Sequence, residues 1–318
     1  MGALHANRLL SLERWKKWIW SFVRLTLIAG LAFVILYPVL QKISTAFKDK
    51  SDLYSPIVVW LPEHYTLDNF IKAISIMDYW QALLNTFTLS ALTTLLTAIS
   101  CALAGYGFAR LKFKGSQLLF AGVILTILVP PITILIPVYL NLKDFSLMGL
   151  IPLLTGKSVN LLNTYWPFIL TSATANSLKA GLYIFIFRQF FRGIPKEVEE
   201  AAYIDGAGVG KTFYRIMLPN AIPSIVTVLL FSFVWQWNDS FFTTTYLTSS
   251  KVMATQLGSL PYNLAILLED GVSSKADPFY LSMVQDTGIL LAILPLIIIY
   301  LFVQRYFVES IERTGIVG

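Results

Sequence analysis

Long apolar stretches alternate with shorter polar segments along most of the chain. Six of these stretches reach the roughly 20 residues that a helix needs to cross a bilayer: 19–40, 81–108, 117–140, 165–187, 222–246 and 281–303. The first is longer than the core of a signal peptide and has no clear small-residue cleavage site, so we expect it to remain as an anchor. The pattern predicts an all-α integral membrane protein with a six-span domain over 19–308 and short tails at 1–18 and 309–318.

The segments between the predicted spans differ in character. Residues 41–80 are mixed polar and amphipathic, 141–163 form a loop or a re-entrant apolar segment, and 248–279 are polar. Pro130 and Pro131 interrupt the third predicted span, because proline lacks a backbone N–H and clashes with the preceding turn. We expect a kink there, which serves either gating or only packing.

Composition supports the membrane class. The chain has 56% hydrophobic and 13% charged residues and a mean hydropathy of +0.67, whereas soluble domains average about 45–50% apolar and about 25% charged residues. The single cysteine, Cys101, lies in an apolar stretch, so a disulfide framework is excluded. His5 and His64 are far apart in polar segments, and we expect no metal site. The net charge of +6 comes with no basic aromatic surface, so we expect no nucleic-acid partner.

The positive charges indicate the orientation of the chain. Six crossings place both ends on one side of the membrane. Lys and Arg are concentrated in the N-terminal tail, at 110–114, at 188–215 and after residue 304. Because cytoplasmic loops carry an excess of Lys and Arg, both termini and the segment between the fourth and fifth spans are predicted to be cytoplasmic.

Residues 197–223 form a polar island between two apolar stretches. Pro195 can start a helix, since the first helical N–H has no partner in any case, and Gly206 suits a helix end. The second helix is predicted to carry one apolar stripe, formed by Val209, Phe213, Ile216 and Met217. The island is therefore predicted to be a helix–turn–helix that displays apolar side chains beside charges, as expected of a surface that docks into another protein.

The sequence GAGVGKT at 206–212 looks like the end of a phosphate-binding P-loop. That motif needs a glycine where this chain has Asp205, and no buried strand precedes it. A carboxylate at this position would repel phosphate. We therefore expect no nucleotide binding by the island.

The polar island resembles the EAA loop of binding-protein-dependent ABC importer permeases. The matching residues are Glu200, Ala201, Ala202, Gly206, Ile216, Leu218 and Pro219. Further similarities, to the carbohydrate-uptake branch, are TLDNF at 66–70, NTFTLS at 85–90, AGYGFARLKFKG at 104–115, NTYW at 163–166 and WND at 237–239. Over about 20–318 the chain resembles the smaller, maltose-transporter-type permease subunit. The segments 141–163 and 248–279 are longer than that pattern leads us to expect.

The resemblance implies a transport subunit with no ATPase site, catalytic residue or cofactor of its own. Two cytoplasmic ABC ATPase subunits, which bind ATP and Mg, would grip the EAA loop. A second permease subunit, expected to be a different chain, would complete the pathway, and an extracytoplasmic solute-binding protein would deliver a sugar or oligosaccharide. The implied location is the cytoplasmic membrane of a bacterium or an archaeon.

The resemblance also gives roles to individual residues of the island. Glu200 would hold charge and orientation, Ala201 and Ala202 would permit close packing, and Gly206 would provide the turn. Three apolar residues would fill a groove of the ATPase, namely Phe213, Ile216 and Met217. The coupling set is completed by Asp205, Leu218 and Pro219. The C-terminal tail, ending GIVG, would also reach the ATPase interface.

The candidates for the substrate pathway are Lys179, Trp235, Trp237, Asn238 and Asp239. Ionisable side chains are costly in lipid, so within a span they are functional candidates. Asp239 lies either in the pathway or at the outer end of a helix. Lys179 faces a water-filled pathway or a partner span, or else a helix break over 171–179 lets it reach water. Trp235 and Trp237, with Phe241 and Phe242, either stack on sugar rings, seal the cavity, or belong to the interfacial aromatic belt.

Two other classes of protein match the sequence less well. A secondary transporter or channel for a small polar solute would explain the spans but not the cytoplasmic island, and the inverted repeats typical of many such transporters are not visible. A membrane-embedded enzyme would need a catalytic constellation, and the sequence has no Gly-x-Ser-x-Gly motif.

Overall fold

The computed structural model describes residues 2–55, 60–269 and 277–315, with side chains described at 15–55, 60–268 and 277–304. Within these ranges the regular structure is helical, and two isolated antiparallel bridges lie between the helices. The last residues of the GIVG tail, 316–318, lie outside the described residues. The same holds for the side chains of the first fourteen residues and of 305–315.

The α-helices in the described ranges are, in chain order, α1 (Gly2–Ala46), α2 (Asp68–Ile76), α3 (Tyr79–Arg110), α4 (Ser116–Leu128), α5 (Pro131–Lys143), α6 (Leu150–Thr155), α7 (Trp166–Ala173), α8 (Ala180–Gly193), α9 (Lys196–Ile204), α10 (Val209–Thr212), α11 (Leu218–Asn220), α12 (Ile222–Trp237), α13 (Phe241–Tyr246), α14 (Met253–Glu269) and α15 (Pro278–Gly315). A 3-10 turn occupies Lys50–Tyr54. A π-helical turn occupies Phe213–Met217.

Three helices are long and apolar enough to cross a membrane: α1 over Trp15–Ala46, α3, and α15 over Pro278–Gln304. Two helix pairs meet the same criteria only when taken together, and each is sharply bent. The bend is 102° between α4 and α5, and 77° between Val209–Asn220 and α12. The described residues thus contain three candidate spans, or five if each bent pair counts as one. The count of six stays a prediction.

The third predicted span, 117–140, is two helices rather than one kinked helix. α4 ends at Leu128 and α5 begins at Pro131. Between them Val129 and Pro130 have extended backbones, with ψ angles of 121° and 132°. A residue before proline is pushed out of the helical region, and here two successive prolines act on two successive residues. The pair of prolines therefore breaks the span.

Other predicted spans are also interrupted. The stretch 165–187 contains α7 and α8, separated by the polar residues 174–179, and 222–246 contains α12 and α13. The segment 248–279, described from the sequence only as polar, contains the 17-residue helix α14, for which the sequence analysis gave no element.

The described contacts divide the chain into two compact units. One unit comprises 1–73 and 261–291. In it Lys42 pairs with Asp286, and the Asn69 side-chain amide donates to the carbonyls of Ala46 and Lys48 at 3.0 and 2.9 Å. These bonds tie α2 to the end of α1.

The other unit comprises 74–260 and 292–318, and its core lies where α3, α8 and α12 meet. The α8 side chains Tyr183, Phe187 and Phe191 are completely buried. They pack on the small residues of α3, of which Gly105 is the tightest: a Cβ there would lie 2.5 Å from the Phe187 Cβ. Small residues at helix interfaces let backbones approach closely, and this contact fixes α8 against α3.

Candidate coupling loop and pathway residues

The polar island folds into two helical segments around one turn. α9 begins directly after Pro195 and carries Glu197 and Glu199 in its first turn, where the helix dipole favours negative charge. The second segment runs from α10 through the π-helical turn into α11. The 77° bend that follows it sets the island at a large angle to α12.

The turn between the two segments is closed by backbone hydrogen bonds. The Gly206 N–H donates to the Tyr203 carbonyl at 3.1 Å, and the Ala207 N–H donates to the Ala202 carbonyl at 2.9 Å. This pair of bonds is a Schellman cap. Gly206 has a φ of +75°, a conformation that glycine adopts without steric cost.

Glu199 anchors the island to the end of α3. Its carboxylate accepts a hydrogen bond from the Tyr106 hydroxyl at 2.9 Å and lies 3.2 Å from the Arg110 guanidinium. Arg110 also donates to the carbonyls of Phe191, at 2.7 Å, and Ile194. One buried ion pair therefore joins three elements: the last turn of α3, the end of α8 and the first turn of α9.

Sequence reasoning missed this anchor. The resemblance gave Glu200 the role of holding charge and orientation toward a partner, which stays a prediction; Glu200 is exposed, and its neighbour Glu199 is the buried residue that contacts α3. A signal was present, because Tyr106 and Arg110 are four residues apart and lie on one face of a helix. That face carries a hydroxyl and a guanidinium, and both groups can donate hydrogen bonds to one carboxylate.

Much of the island's surface is exposed. Its apolar members form what we call the exposed apolar patch, with exposed fractions of 44%, 85%, 46% and 71% for Tyr203, Ile204, Val209 and Tyr214. The predicted coupling residues on the same loop that are also exposed are Glu200, Ala201, Asp205, Gly206 and Pro219. Ala202 is buried.

The apolar stripe of the second helix is placed differently from the prediction. Met217 is completely buried, and the Phe213 ring lies 4.9 Å from the Tyr106 ring and 6.1 Å from the Phe191 ring. These side chains fill the chain's own core. The expectation that Phe213 and Met217 enter a partner's groove is therefore corrected. Ile216 and Leu218 are half-buried.

Three of the five candidate pathway residues are exposed: Lys179, Trp235 and Asn238. The Lys179 ammonium lies 4.8 Å from the centre of the Trp235 ring, within the range of a cation–π contact. Asn238 is exposed and its amide donates to the Val234 carbonyl at 2.9 Å. Lys179 has a left-handed backbone, with a φ of +63°, directly before α8. It thus sits in the helix break between α7 and α8, which was one of its two predicted settings.

The remaining two candidates have structural contacts. Trp237 is buried and its indole N–H donates to the Ala292 carbonyl at 3.1 Å, which corrects its assignment to a pathway surface. Asp239 accepts from the Thr243 N–H and hydroxyl, both at 2.8 Å, and from the Phe242 N–H at 3.2 Å. Asp239 thus caps the first turn of α13, which was one of its two predicted settings.

Asp52 and His64 come together in the segment that connects α1 to α2, which the sequence did not indicate. The buried Asp52 carboxylate accepts from the backbone N–H groups of His64 and Glu63 and lies 2.8 Å from His64 Nδ1. These bonds lower the pKa of Asp52, the His64 N–H contributing most. The hydrogen bond to Asp52 raises the pKa of His64. Glu63 completes a group whose ligand atoms lie within 4.8 Å of one another, but the Asp52 oxygens are already engaged by the fold.

Residues 95–313 match the family described as the binding-protein-dependent transport system inner membrane component. The chain belongs to this family. It is therefore a multi-pass membrane permease subunit of a binding-protein-dependent ABC importer, as the resemblance implied.

Relatives of this permease match it over nearly their full length. The probable ABC transporter permease protein YurM of Bacillus subtilis is 29% identical over 94% of this chain and 88% of its own length. The arabinooligosaccharides transport system permease protein AraQ of Halalkalibacterium halodurans is 28% identical over 91% of this chain and 94% of its own.

The fold of the permease is shared with a solved structure. One chain of a bacterial ABC transporter involved in the import of the acidic polysaccharide alginate superposes with a TM-score of 0.72. The match covers 91% of this chain and 96% of the other, at 21% sequence identity. The two chains therefore share a fold.

Proposed function

We propose that this permease subunit translocates a sugar or oligosaccharide into the cytoplasm, driven by ATP hydrolysis on two partner ATPase subunits that dock on the polar island. The observation that carries the proposal is that the island is both anchored and exposed. It is anchored to α3 by the buried pair of Glu199 and Arg110. Its exposed residues include the apolar patch and the charged Glu200 and Asp205.

This construction suits the transmission of motion. Exposed apolar patches rimmed by polar residues mark interaction sites, and here four exposed apolar side chains lie within residues 203–214, on either side of the Schellman cap. A partner that pulls on the patch would pull on α9, and the buried ion pair would carry that displacement to α3 and α8. The chain would supply no ATPase site, and ATP and Mg would be bound by the partners.

The orientation follows from charge. We propose six spans with both termini and the island in the cytoplasm, because cationic residues gather at the ends of α3 and α8 and along the island and cytoplasmic loops are enriched in such residues. The broken segments α4–α5 and α7–α8 would each lie within one of these spans. Non-helical backbone at membrane depth is tolerated where it is covered by protein or lines a water-filled cavity.

The substrate class is inferred from relatives and from the accessible polar groups. AraQ is named for arabinooligosaccharides, and the solved importer for alginate. In this chain three exposed residues could contact a sugar: Lys179 offers a cation, Trp235 an aromatic ring and Asn238 an amide. A second permease subunit, a different chain, would close the pathway from the other side, and an extracytoplasmic solute-binding protein would deliver the sugar.

The test is co-purification of the detergent-solubilised chain, with every recovered protein identified, followed by uptake assays in liposomes. We expect a second permease and a cytosolic ATPase to be recovered, and ATP-dependent uptake only when all are present with a binding protein. A chain that purifies alone and moves solute without ATP would overturn the proposal and establish a secondary transporter. Recovery of the ATPase with a binding protein that ignores sugars would overturn the substrate class alone.

A further inference from the structure

An open cleft of about 1050 Å³ lies between the end of α3, the start of α4 and the last turns of α8. It is separate from the island and from the pathway candidates. Its charged lining residues are all cationic, namely Lys112, Lys114, Arg188 and Arg192. We call it the basic cleft.

The charge of the basic cleft is not neutralised by the described part of the chain. Among the described residues, none of the four cations lies within 4.0 Å of a carboxylate, whereas Arg110 nearby is paired with Glu199. Arg188 is held in place, since its Nε donates to the Phe108 carbonyl at 3.4 Å and its guanidinium lies 3.8 Å from the centre of the Phe120 ring. Arg188 and Arg192 are four residues apart, a spacing at which like charges on a helix repel. An anion between the cations would relieve that repulsion.

The first turn of α4 adds a second, independent attraction for an anion. This 13-residue helix begins after Gly115, which provides no side-chain cap. The first backbone N–H groups of a helix lack partners within the helix, and they carry the positive end of its dipole. At α4 the Ser116 N–H donates to the Phe113 carbonyl at 3.3 Å, so the terminus offers the N–H groups of Gln117 and Leu118. Such a terminus binds phosphate groups. Here it lines the same cleft as the four cations.

The surface beside the basic cleft is apolar. Leu111 and Leu118 line the cleft with exposed fractions of 42% and 79%, and Leu119 next to them is 58% exposed. None of the side chains of α4 is buried. A free phosphate would use only the cations, whereas a phospholipid would place its headgroup among them and its acyl chains along the apolar helix. The combination therefore favours a lipid.

We propose that the basic cleft binds the headgroup of an anionic phospholipid, with the acyl chains lying along α4. Basic pockets between membrane helices recognise such headgroups, and each Lys or Arg near the membrane surface strengthens the attraction by about fivefold. The proposal requires only a membrane-embedded chain and is independent of the sugar and of ATPase docking. A lipid bound in the cleft would contact the ends of α3 and α8. Arg110 links these same helix ends to the island.

The test compares lipid binding to the detergent-solubilised full chain by native mass spectrometry, titrating phosphatidylglycerol against phosphatidylethanolamine. The double variant Lys112→Gln/Arg192→Gln removes two exposed cations and leaves Arg188 in its packed position. The matched control, Lys16→Gln/Lys17→Gln, removes two exposed cations at the start of the apolar part of α1. We expect the cleft variant to bind phosphatidylglycerol about 25-fold more weakly, the control to bind it as the wild type does, and phosphatidylethanolamine to bind weakly throughout.

Three results would overturn the proposal. Equal losses in both double variants would show non-specific attraction to the membrane surface. Full competition by millimolar inorganic phosphate would show a phosphate site rather than a lipid site. Lipid binding that disappears when the partner subunits are assembled would show that the cleft is a protein interface. If the double variant does not fold, Lys114→Gln, on the exposed turn, should still weaken binding about fivefold.

Discussion

The Arg110 guanidinium and the Glu199 carboxylate lie 3.2 Å apart, with only 7% and 9% of their side chains exposed. A buried pair of this kind orders the groups around it more than it adds net stability, because both charges lose their hydration. Its position is what matters in this permease. It joins the cytoplasm-facing end of α3, as we propose it, to the helix that opens the polar island.

We first predict that Glu199→Gln destabilises the protein while Glu200→Gln does not. Removing one partner of a buried ion pair costs about 3–5 kcal/mol, because the other charge is left uncompensated. Glu200 is exposed, so its charge is screened by solvent. The measurement is the thermal unfolding midpoint of the two variants in detergent, with ATPase stimulation in the assembled transporter as a second readout. Equal midpoints for both variants would show that the pair is not an anchor.

The second prediction concerns the contact of α3 with α8. Gly105→Ala would place a Cβ 2.5 Å from the Phe187 Cβ and 3.0 Å from the Arg188 nitrogen, and overpacking of this kind costs about 1–3 kcal/mol. Gly107, on the same helix, is open: a Cβ added there would meet nothing within 4 Å. Gly107→Ala should therefore leave the unfolding midpoint unchanged or raise it. A lower midpoint for both variants would locate the effect in the helix itself rather than in the interface.

The third prediction tests the turn of the polar island. Gly206 has a φ of +75°, so Gly206→Ala should strain the backbone by about 1–2 kcal/mol. Gly208, in the same turn, has an ordinary extended backbone with a φ of −76° and serves as the control. We expect Gly206→Ala to weaken co-purification of the ATPase and Gly208→Ala to leave it intact. Undiminished recovery with Gly206→Ala would mean that the Schellman cap does not set the docking geometry.

The fourth prediction is a pH dependence of stability that requires His64. The pKa of His64 is raised by its bond to Asp52, so its contribution is complete below the unfolded pKa of about 6.5 and is lost as the pH rises through the higher folded pKa. The pKa of Asp52 is lowered, so its contribution is present above about 4 and is lost as the pH falls through the lower folded pKa.

Between these limits both groups are charged and the contact is strongest. The unfolding midpoint of the wild type should therefore fall as the pH rises from about 6 to about 9, and the fall should be smaller in His64→Gln. A Glu63→Gln variant, which keeps the His64–Asp52 contact, is the control. An identical pH profile for wild type and His64→Gln would contradict the assignment.

The sequence predicted some elements well because one physical requirement dominates them. A long uninterrupted apolar run has few alternatives to a long helix, so α1, α3 and α15 were expected where they lie. The breaks were harder. Pro130 and Pro131 indicated a kink, but the size of a bend depends on what packs on either side of it. α14 was missed because the residues around it are polar and it contains Pro261.

In the candidate site, too, local sequence pattern predicted some features, whereas others depend on tertiary packing. Apolar periodicity marks Phe213 and Met217 as inward-facing, but it does not say whether the inside belongs to this chain or to a partner. In the structure both side chains pack in the core of this chain. Glu199 and Glu200 differ by one position, about 100° around a helix, and only the location of Arg110 and Tyr106 decides which of the two is buried. Tertiary contacts, not local pattern, made that choice.

The most direct test of the docking role is site-specific cross-linking from the exposed apolar patch. Cys101 is the only cysteine and is buried, so a cysteine introduced at Ile204, which is 85% exposed, can carry a photoreactive label alone. Lys157→Cys, exposed on the segment predicted to face the other side of the membrane, is the control. We expect the assembled transporter to give a covalent adduct with the ATPase subunit from Ile204→Cys and none from Lys157→Cys. An adduct from neither position, or from both equally, would contradict docking on the polar island.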